Sequence, residues 1–252
     1  MKRLLKGALL LQGCLLLTIT GVARAADEPA DTYVYGTYMY CDTTKQDRAD
    51  EIFKTLYAPI LDAAVADGSL SGYSYYAHNT GGKWRRGMFT TAPSIQALLD
   101  AEGKIFDQAE AKNKKMDTEF GSICNAHEDY IWHSELGNAA TGVPGKAVFS
   151  TYYVCDAREG QADAIVKALY APIFDKMVAD GKLTGWGYLE HIVGGHVRRV
   201  ATMTAKDIPT LMAARTELVD ELQDNDLDML YTEICDSHED YIWEVRGSAM
   251  PK

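Results

Sequence analysis

The apolar positions of residues 32–134 follow two different periodicities. Helical spacing of apolar side chains predicts one helix over 48–66 and a second from Ile95 to Phe106. Pro59 lies inside the first helical pattern and predicts a break there, because proline cannot donate to the helix ladder. Short segments rich in Tyr, Val and other strand-favouring residues predict four strands, at 33–41, 70–78, 84–91 and 129–133.

The whole pattern occurs twice. The repeated blocks include ICNAHEDYIW at 123–132 and ICDSHEDYIW at 234–243, and LYAPI at 56–60 and 169–173. A repeat of about 110 residues has the size of a domain. Each copy has the order β-α-β-β-α-β of a ferredoxin-like unit, and right-handed crossovers give its antiparallel sheet the strand order 4-1-3-2. We predict repeats over 32–134 and 147–246, joined by a Gly-, Ala- and Pro-rich linker at 135–146.

The first predicted strand is apolar or aromatic on both faces. Tyr35 and Met39 lie on one face, and Val34, Tyr38 and Tyr40 lie on the other. Helices cover only one face of such a sheet, so we expect the second repeat to cover the other face. This arrangement resembles the dimeric α/β-barrel superfamily, with its two units fused in one chain.

The resemblance implies an α+β fold in which two tandem βαββαβ units pack sheet to sheet as an α/β barrel. It rests on the order of elements and the repeat length over roughly residues 32–246. The superfamily includes cofactor-free monooxygenases, chlorite dismutase-like haem proteins and many small binding proteins. The chain shows no catalytic motif of a named member, so the resemblance assigns no functional residue.

The N-terminal segment has the pattern of an export signal. A basic start at 2–6 precedes an apolar stretch at 9–17, and Ala23-Arg24-Ala25 fits a cleavage site, so residues 1–25 are predicted to be a signal peptide. Their removal takes away four positive charges and changes the net charge from −11 to −15. Such acidity disfavours nucleic acid and anionic membranes as partners. No later segment is long enough to span a membrane. We expect a periplasmic or secreted monomer or homodimer.

Four cysteines follow residue 25, and they occupy matching positions in the two repeats. Four cysteines allow three pairings. Strand order 4-1-3-2 places the end of strand 1 beside the start of strand 4, which favours Cys41–Cys124 and Cys155–Cys235. Each bridge closes a loop of roughly 80 residues, worth about 4 kcal/mol in the chain-entropy model. The chain has no CxxC motif, which argues against a thiol-redox enzyme.

Polar residues gather at one edge of each predicted sheet. They are His78, Arg85, Arg86, His127, Glu128 and Asp129 in the first repeat, and His191, Arg198, Arg199, His238, Glu239 and Asp240 in the second. The pairs His127-Glu128 and His238-Glu239 are candidate ligands for Zn²⁺ or Fe²⁺. Adjacent strand residues point to opposite faces, so at most two of each His-Glu-Asp triplet can serve one metal. The alternative is a strand entry whose carboxylates cap backbone N–H groups.

The other candidates at this edge are bases, anion ligands and aromatic rings. His78 and His191 are candidate general bases, with a hydrogen bond to a backbone carbonyl as the alternative. Arg86 and Arg199 are candidate clamps for an anionic ligand, with an ion pair to the nearby carboxylates as the alternative. Candidate lining residues for a planar ligand are Tyr38, Tyr40 and Tyr76, with a filled barrel core as the alternative.

Three functional hypotheses follow. The first is an exported barrel protein that binds a small organic or anionic ligand between its sheets. The second is a cofactor-independent oxygenase or isomerase with His78 or His191 as base and Arg86 or Arg199 as clamp. The third is a metal- or haem-dependent enzyme that uses His127 and His238. The sequence specifies no cofactor.

Overall fold

The computed structural model describes residues 31–140 and 145–250. The predicted signal peptide at 1–25 lies outside this part, as do positions 141–144 of the predicted linker. The strands are β1 (Tyr33–Tyr40), β2 (Gly72–Gly81), β3 (Arg86–Ala92), β4 (Ala126–Ala139), β5 (Ala147–Val154), β6 (Gly185–Val193), β7 (Arg199–Ala205) and β8 (Ser237–Ala249). The helices are α1 (Gln46–Ile52), α2 (Ala58–Ala66), α3 (Ile95–Ile123), α4 (Glu159–Ile165), α5 (Ala171–Ala179), α6 (Ile208–Leu222) and α7 (Asp226–Ile234).

The eight strands form one closed barrel in the order β1-β3-β2-β8-β5-β7-β6-β4, so the fold is mixed α+β. Residues 33–139 contribute β4-β1-β3-β2 and residues 147–249 contribute β8-β5-β7-β6, which is the strand order predicted for each half. The halves meet at two seams, where β2 pairs with β8 and β4 pairs with β6. This corrects the expectation of two sheets that only pack face to face. Paired seams satisfy the edge N–H and C=O groups that separate sheets would leave bare.

Every neighbouring pair of strands is antiparallel. The last residues of β1, β2, β5 and β6 and the first residues of β3, β4, β7 and β8 therefore lie at the same end of the barrel. We call it the polar end, because it carries the predicted polar edges of both halves. These edges are residues 78–86 and 126–129 and their counterparts 191–199 and 237–240.

Side chains alternate between the barrel interior and the outer face under the helices. Tyr38 belongs to the interior core, whereas Met39 packs beneath the helices, so the predicted burial of both faces of β1 is confirmed. The interior core consists of Val34, Tyr38, Trp84, Tyr130, Trp132, Val148, Tyr152, Val197, Val200, Tyr241 and Trp243. Further hydrophobic cores lie between the barrel and the helices. The two largest are found one in each half.

The predicted break at Pro59 is confirmed, as is its counterpart at Pro172, and both take the form of a π-helical turn. The turns span Phe53–Tyr57 and Val166–Tyr170, directly before α2 and α5. Proline lacks an N–H and its ring clashes with the preceding turn. The ladder widens just before it, where the Ala58 N–H donates to the Phe53 carbonyl oxygen five residues earlier.

The last strand of each half is much longer than the predicted 129–133 suggests. β4 runs from Ala126 to Ala139, so the predicted linker at 135–146 begins inside a strand. The sequence ELGNA has weak strand propensity and resembles a loop. Its strand conformation comes from tertiary pairing, because residues 134–139 pair with β6 across the seam.

The halves differ in their second helical region. In the first half α3 is one long element with non-helical φ/ψ at Asn113. In the second half α6 ends at Leu222 and α7 starts at Asp226, with Asp224 between them at φ 58°. The offset between matching residues falls from 113 at Ser94 and Asp207 to 111 at Cys124 and Cys235, so the second half is two residues shorter in this stretch.

Both predicted disulfides are confirmed, Cys41–Cys124 and Cys155–Cys235, each with a Cα–Cα distance of 3.9 Å. The Asp42 N–H donates to the Ile123 carbonyl beside the first bridge at 2.8 Å. In the described part of the chain, no helix has the length and apolarity needed to cross a membrane.

Candidate functional site

The predicted bases hydrogen-bond to arginines at the polar end. Arg85 Nη1 lies 2.9 Å from His78 Nδ1, and Arg198 Nη1 lies 2.8 Å from His191 Nδ1. Burial lowers the pKa of both imidazoles, and the neighbouring guanidinium charge lowers it further. Each ring is therefore neutral at neutral pH and accepts from its arginine. His78 Nε2 also lies 3.2 Å from the Gly81 carbonyl oxygen, which is the alternative expected for a histidine at a strand end.

The predicted anion clamps face the helices. Arg86 is 3 % exposed, and its Nε and Nη2 donate to the two oxygens of Asp50 at 2.5 and 2.9 Å. Arg199 holds Asp163 in the same bidentate way at 2.7 and 2.8 Å. These pairs fasten helices α1 and α4 to the sheet, with helical carboxylates as partners in place of the expected strand-entry carboxylates. The assignment of Arg86 and Arg199 as ligand anchors is corrected accordingly, since their donors are already used by the protein.

The His-Glu-Asp segments split across the barrel wall. His127 Nδ1 lies 2.9 Å from Asp129 Oδ2 on the outer face, whereas Glu128 accepts from the Tyr40 hydroxyl and from Lys83 Nζ at 3.1 Å. In the second half His238 Nε2 lies 3.7 Å from Asp240 Oδ2. The Tyr241 hydroxyl donates to Glu239 at 3.2 Å. Alternation thus separates the histidine from the adjacent glutamate, so neither His127-Glu128 nor His238-Glu239 forms one metal site.

Aromatic rings fill the barrel interior. The Tyr38 ring lies 4.4 Å from Trp84 and 5.4 Å from Tyr152, centroid to centroid. Tyr76 packs against this core from one side, and Tyr40 lies at the polar end. A cavity of about 50 Å³ lies at that end, with Trp84 and Tyr152 in its wall. The expected ligand site between the sheets is therefore corrected: the interior is packed core.

The larger cavity, about 390 Å³, lies between the outer face of the sheet and the helices of the second half. This volume is in the range of small-molecule sites. Its aromatic wall consists of Phe149, Tyr153, Tyr170, Phe174, Trp186, Tyr188 and Tyr231. Polar lining residues include Arg215, Asp228, Thr232 and His238. We call it the helix-layer cavity.

One substitution between the halves opens this space. In the first half the Phe53 ring stacks on Tyr75 with 3.8 Å between centroids. The counterpart of Tyr75 is Tyr188, but the counterpart of Phe53 is Val166, and both Tyr188 and Val166 line the cavity. The missing ring leaves room above Tyr188. The helix interruption at 223–225 adds Gln223 and Asp224 to the cavity wall.

Arg215 supplies the positive charge of the helix-layer cavity. Its guanidinium carbon lies 5.4 Å from the centroid of the Phe149 ring. Among the described residues it has no hydrogen bond or ion pair. The sequence did carry a signal, because Arg215 interrupts the apolar stripe formed by Leu211, Leu218 and Leu222 on α6.

The tyrosines around the cavity are uncharged, and one of the lining acids, Asp228, accepts a hydrogen bond from a tyrosine. The Tyr170 hydroxyl donates to Asp228 Oδ1. Burial raises the pKa of Tyr153 to about 12, and burial also raises the pKa of Tyr188 and Tyr170. All three phenols are protonated at neutral pH. The hydroxyls of Tyr170 and Tyr188 already donate to Asp228 and Asp163, so what these residues offer a ligand is an uncharged aromatic face to stack on.

Comparison with known structures supports the fold. An anthrone oxidase-like protein superposes with a TM-score of 0.58 at 13% identity, covering 88% of this chain and 94% of that protein. A proposed monooxygenase of Fusobacterium nucleatum gives 0.60 at 8% identity, covering 88% and 94%. A chlorite dismutase variant of Candidatus Nitrospira defluvii gives 0.52 at 8% identity, covering 85% and 91%. These similarities show the fold, a closed α+β barrel. No family model and no curated protein sequence matches the chain.

Proposed function

We propose that this protein binds a small planar organic molecule with an anionic group in the helix-layer cavity. The observation that carries the proposal is Arg215, a cation without a protein partner in the described residues, beside an aromatic wall. The acids on the same wall, Asp220, Asp224 and Asp228, form no ion pair with it among the described residues. Aromatic rings favour a planar ligand, and a guanidinium favours a carboxylate or similar anion.

Binding of 2-naphthoate and its neutral methyl ester, measured by calorimetry, tests the proposal. Val166→Phe restores the ring found in the first half and should weaken both probes at least tenfold. Phe53→Val is the matched control, which should retain the site of the second half. Arg215→Gln should weaken only the naphthoate, by about 1.5–3 kcal/mol or roughly tenfold to hundredfold. Undiminished binding to Val166→Phe would place the ligand elsewhere and refute the proposal.

A cofactor-independent oxygenase acting in the same cavity is the second candidate. Two similar structures are described as an anthrone oxidase-like protein and a proposed monooxygenase. His238 lies on the cavity wall and offers an imidazole that can accept a proton from a bound substrate. His78 and His191 do not line this cavity. Oxygen uptake with hydroxynaphthalenes, lost in His238→Gln, would support this activity, and uptake unchanged in that variant would count against it.

A haem fits these residues less well. His127 and His238 lie in different halves, and His127 does not line the helix-layer cavity. The His238 side chain is 49% exposed and faces Asp240, whereas an axial ligand lies buried against the macrocycle. A Soret band in the purified protein that disappears in His238→Ala would overturn this assessment.

We further infer that the halves are tandem ferredoxin-like units, over residues 32–134 and 147–246. We also infer that the protein is exported to the periplasm or secreted. Repeated sequence blocks and the equal strand order support the tandem origin. Two disulfides and the export signal predicted at 1–25 support an oxidising compartment. The barrel closes within one chain, which favours a monomer. N-terminal sequencing of the exported protein and its mass in solution test these points.

A further inference from the structure

A cluster of metal-ligating side chains lies on the outer face of the β4–β6 seam. His133 of β4 pairs in register with Glu190 of β6. A register shift between Ser134 and Leu136 brings Glu135 to the same place. His133 Nδ1 lies 2.9 Å from Glu135 Oε1 and 3.3 Å from Glu190 Oε1, and the three ligand atoms lie within 4.8 Å of one another.

The two carboxylates face each other with little positive charge nearby. Arg199 Nη2 is 4.0 Å from Glu190 Oε2, but that guanidinium already holds Asp163 and Glu159. His133 Nδ1 lies against both carboxylates, at the place where one metal ion could bind all three groups.

At the opposite seam, between β2 and β8, the equivalent carboxylate is paired with an arginine. Ala77 of β2 pairs in register with Glu244 of β8, at the positions equivalent to Glu190 and His133. Arg246 stands where β4 has Glu135, and its Nη2 lies 2.9 Å from Glu244 Oε2. One carboxylate is thus matched by one guanidinium. At the β4–β6 seam a carboxylate, Glu135, stands in place of the guanidinium. A second carboxylate, Glu190, stands in place of the alanine, and an imidazole, His133, stands in place of Glu244.

The donor set suits a transition metal. Zn²⁺ binds imidazole nitrogen and carboxylate oxygen at about 2.0–2.2 Å, so ligand atoms on one tetrahedral ion lie roughly 3.3–3.5 Å apart. The Nδ1–Oε1 distances of 2.9 and 3.3 Å need little adjustment to reach that spacing. His133 Nε2 lies 3.5 Å from Asp31 Oδ1, an outer carboxylate of the kind that orients metal-bound imidazoles. The His133 ring also packs against Tyr33 at 5.0 Å, which limits its rotation.

We propose that His133, Glu135 and Glu190 form a divalent transition-metal site, best matched to Zn²⁺, that links β4 to β6. The fourth position is open to water, because Asp31 lies at Nε2 on the other side of the imidazole. Mg²⁺ and Ca²⁺ prefer sets made of oxygen alone and bind this site weakly. The site is separate from the helix-layer cavity and does not depend on the function proposed for it.

Zn²⁺ titration of the chelator-treated protein by calorimetry tests the site, with melting temperature as a second measure. We expect one equivalent of Zn²⁺ to bind and to raise the melting temperature by several degrees, while Mg²⁺ at the same concentration does not. His133→Gln and Glu190→Gln should each weaken Zn²⁺ at least tenfold. Glu244→Gln, at the opposite seam, and His127→Gln, at an exposed histidine, should leave binding unchanged.

Two further outcomes keep the test decisive if the variants lose stability. Co²⁺ bound to the unmodified protein should give the visible absorption of a four-coordinate N/O site, and Zn²⁺ should displace it. Zn²⁺ binding that survives in His133→Gln, or that disappears in His127→Gln, would overturn the proposal. So would the absence of any Zn²⁺-dependent rise in the melting temperature of the unmodified protein.

Discussion

A buried carboxyl group in the first half occupies the position that Arg215 has in the second. Glu102 is 5 % exposed on the sheet-facing side of α3. The Thr90 hydroxyl donates to one of its oxygens, and the other oxygen has no hydrogen-bond partner in the described residues. Burial raises the pKa of Glu102 to about 7, and the charge of Asp129 contributes. Glu102 is thus largely protonated in the folded protein below neutral pH.

This group should make stability fall as pH rises. The folded pKa of about 7 exceeds the ordinary value of 4.5, so between these values the folded state holds a proton that the unfolded state has lost. The contribution is fully present below about pH 4.5 and is lost as pH rises through 7. The full shift corresponds to roughly 3.4 kcal/mol in the free energy of unfolding, of which roughly 2.5 kcal/mol is lost between pH 5 and pH 8. Urea unfolding at pH 5 and pH 8 should show that Glu102→Gln reduces the difference by that amount.

The control for this prediction is Glu110→Gln, an exposed position on the same helix. It should leave the difference between pH 5 and pH 8 unchanged. If Glu102→Gln had the same pH dependence as the parent protein, the carboxyl would be ionised in the folded state across this range. That result would also weaken the conclusion that the first half is tightly packed around this position, whereas the second half has the helix-layer cavity there.

At the scale of elements, the sequence predicted the features that depend on local residue patterns. Apolar periodicity identified the four strands and the first helical region of each half, and it located the start of the second helix but not its extension to Ile123. Crossover handedness predicted the strand order that places Cys41 beside Cys124. The length of β4 could not be predicted, because residues 134–139 are strand only through pairing with β6. The helix-layer cavity was missed for a similar reason. The cavity exists because Val166 has no aromatic ring to pack on Tyr188, and the loss of one ring does not change the apolar periodicity of the sequence.

The disulfides should contribute to stability at this same scale. Each spans about 80 residues, with separations of 83 and 80. Replacing both cysteines of either bridge by serine should lower the free energy of unfolding by about 2–5 kcal/mol, because the unfolded chain regains loop entropy. Urea unfolding of Cys41→Ser/Cys124→Ser and of Cys155→Ser/Cys235→Ser measures each bridge separately. Reduction of the parent protein with dithiothreitol should approach the combined loss. An unchanged urea midpoint in either double variant would show that its bridge contributes nothing.

For the whole molecule, closure of the barrel joins the two halves into one folding unit. Both seams are made between halves, β2 with β8 and β4 with β6, and the interior core draws its rings from both. Tyr38 of the first half packs edge-on against Tyr152 of the second at 5.4 Å, and Trp84 stacks on Tyr241 at 5.0 Å. Neither half can bury this face alone, so we expect the intact protein to unfold in one cooperative transition.

Residues 146–252 expressed alone should therefore form a dimer or aggregate. Isolation leaves the seam edges of β6 and β8 unpaired and exposes Tyr152, Tyr241 and Trp243, an apolar patch larger than soluble monomers usually tolerate. A second copy can cover that face, because β2 and β6 occupy equivalent positions and β6 can then pair with β8 of the other copy as β2 does in the intact chain. Light scattering measures the mass, with the full-length protein as the reference. A stable, well-folded monomer of residues 146–252 would contradict the prediction, because it would show that the second half buries its interior face without the first.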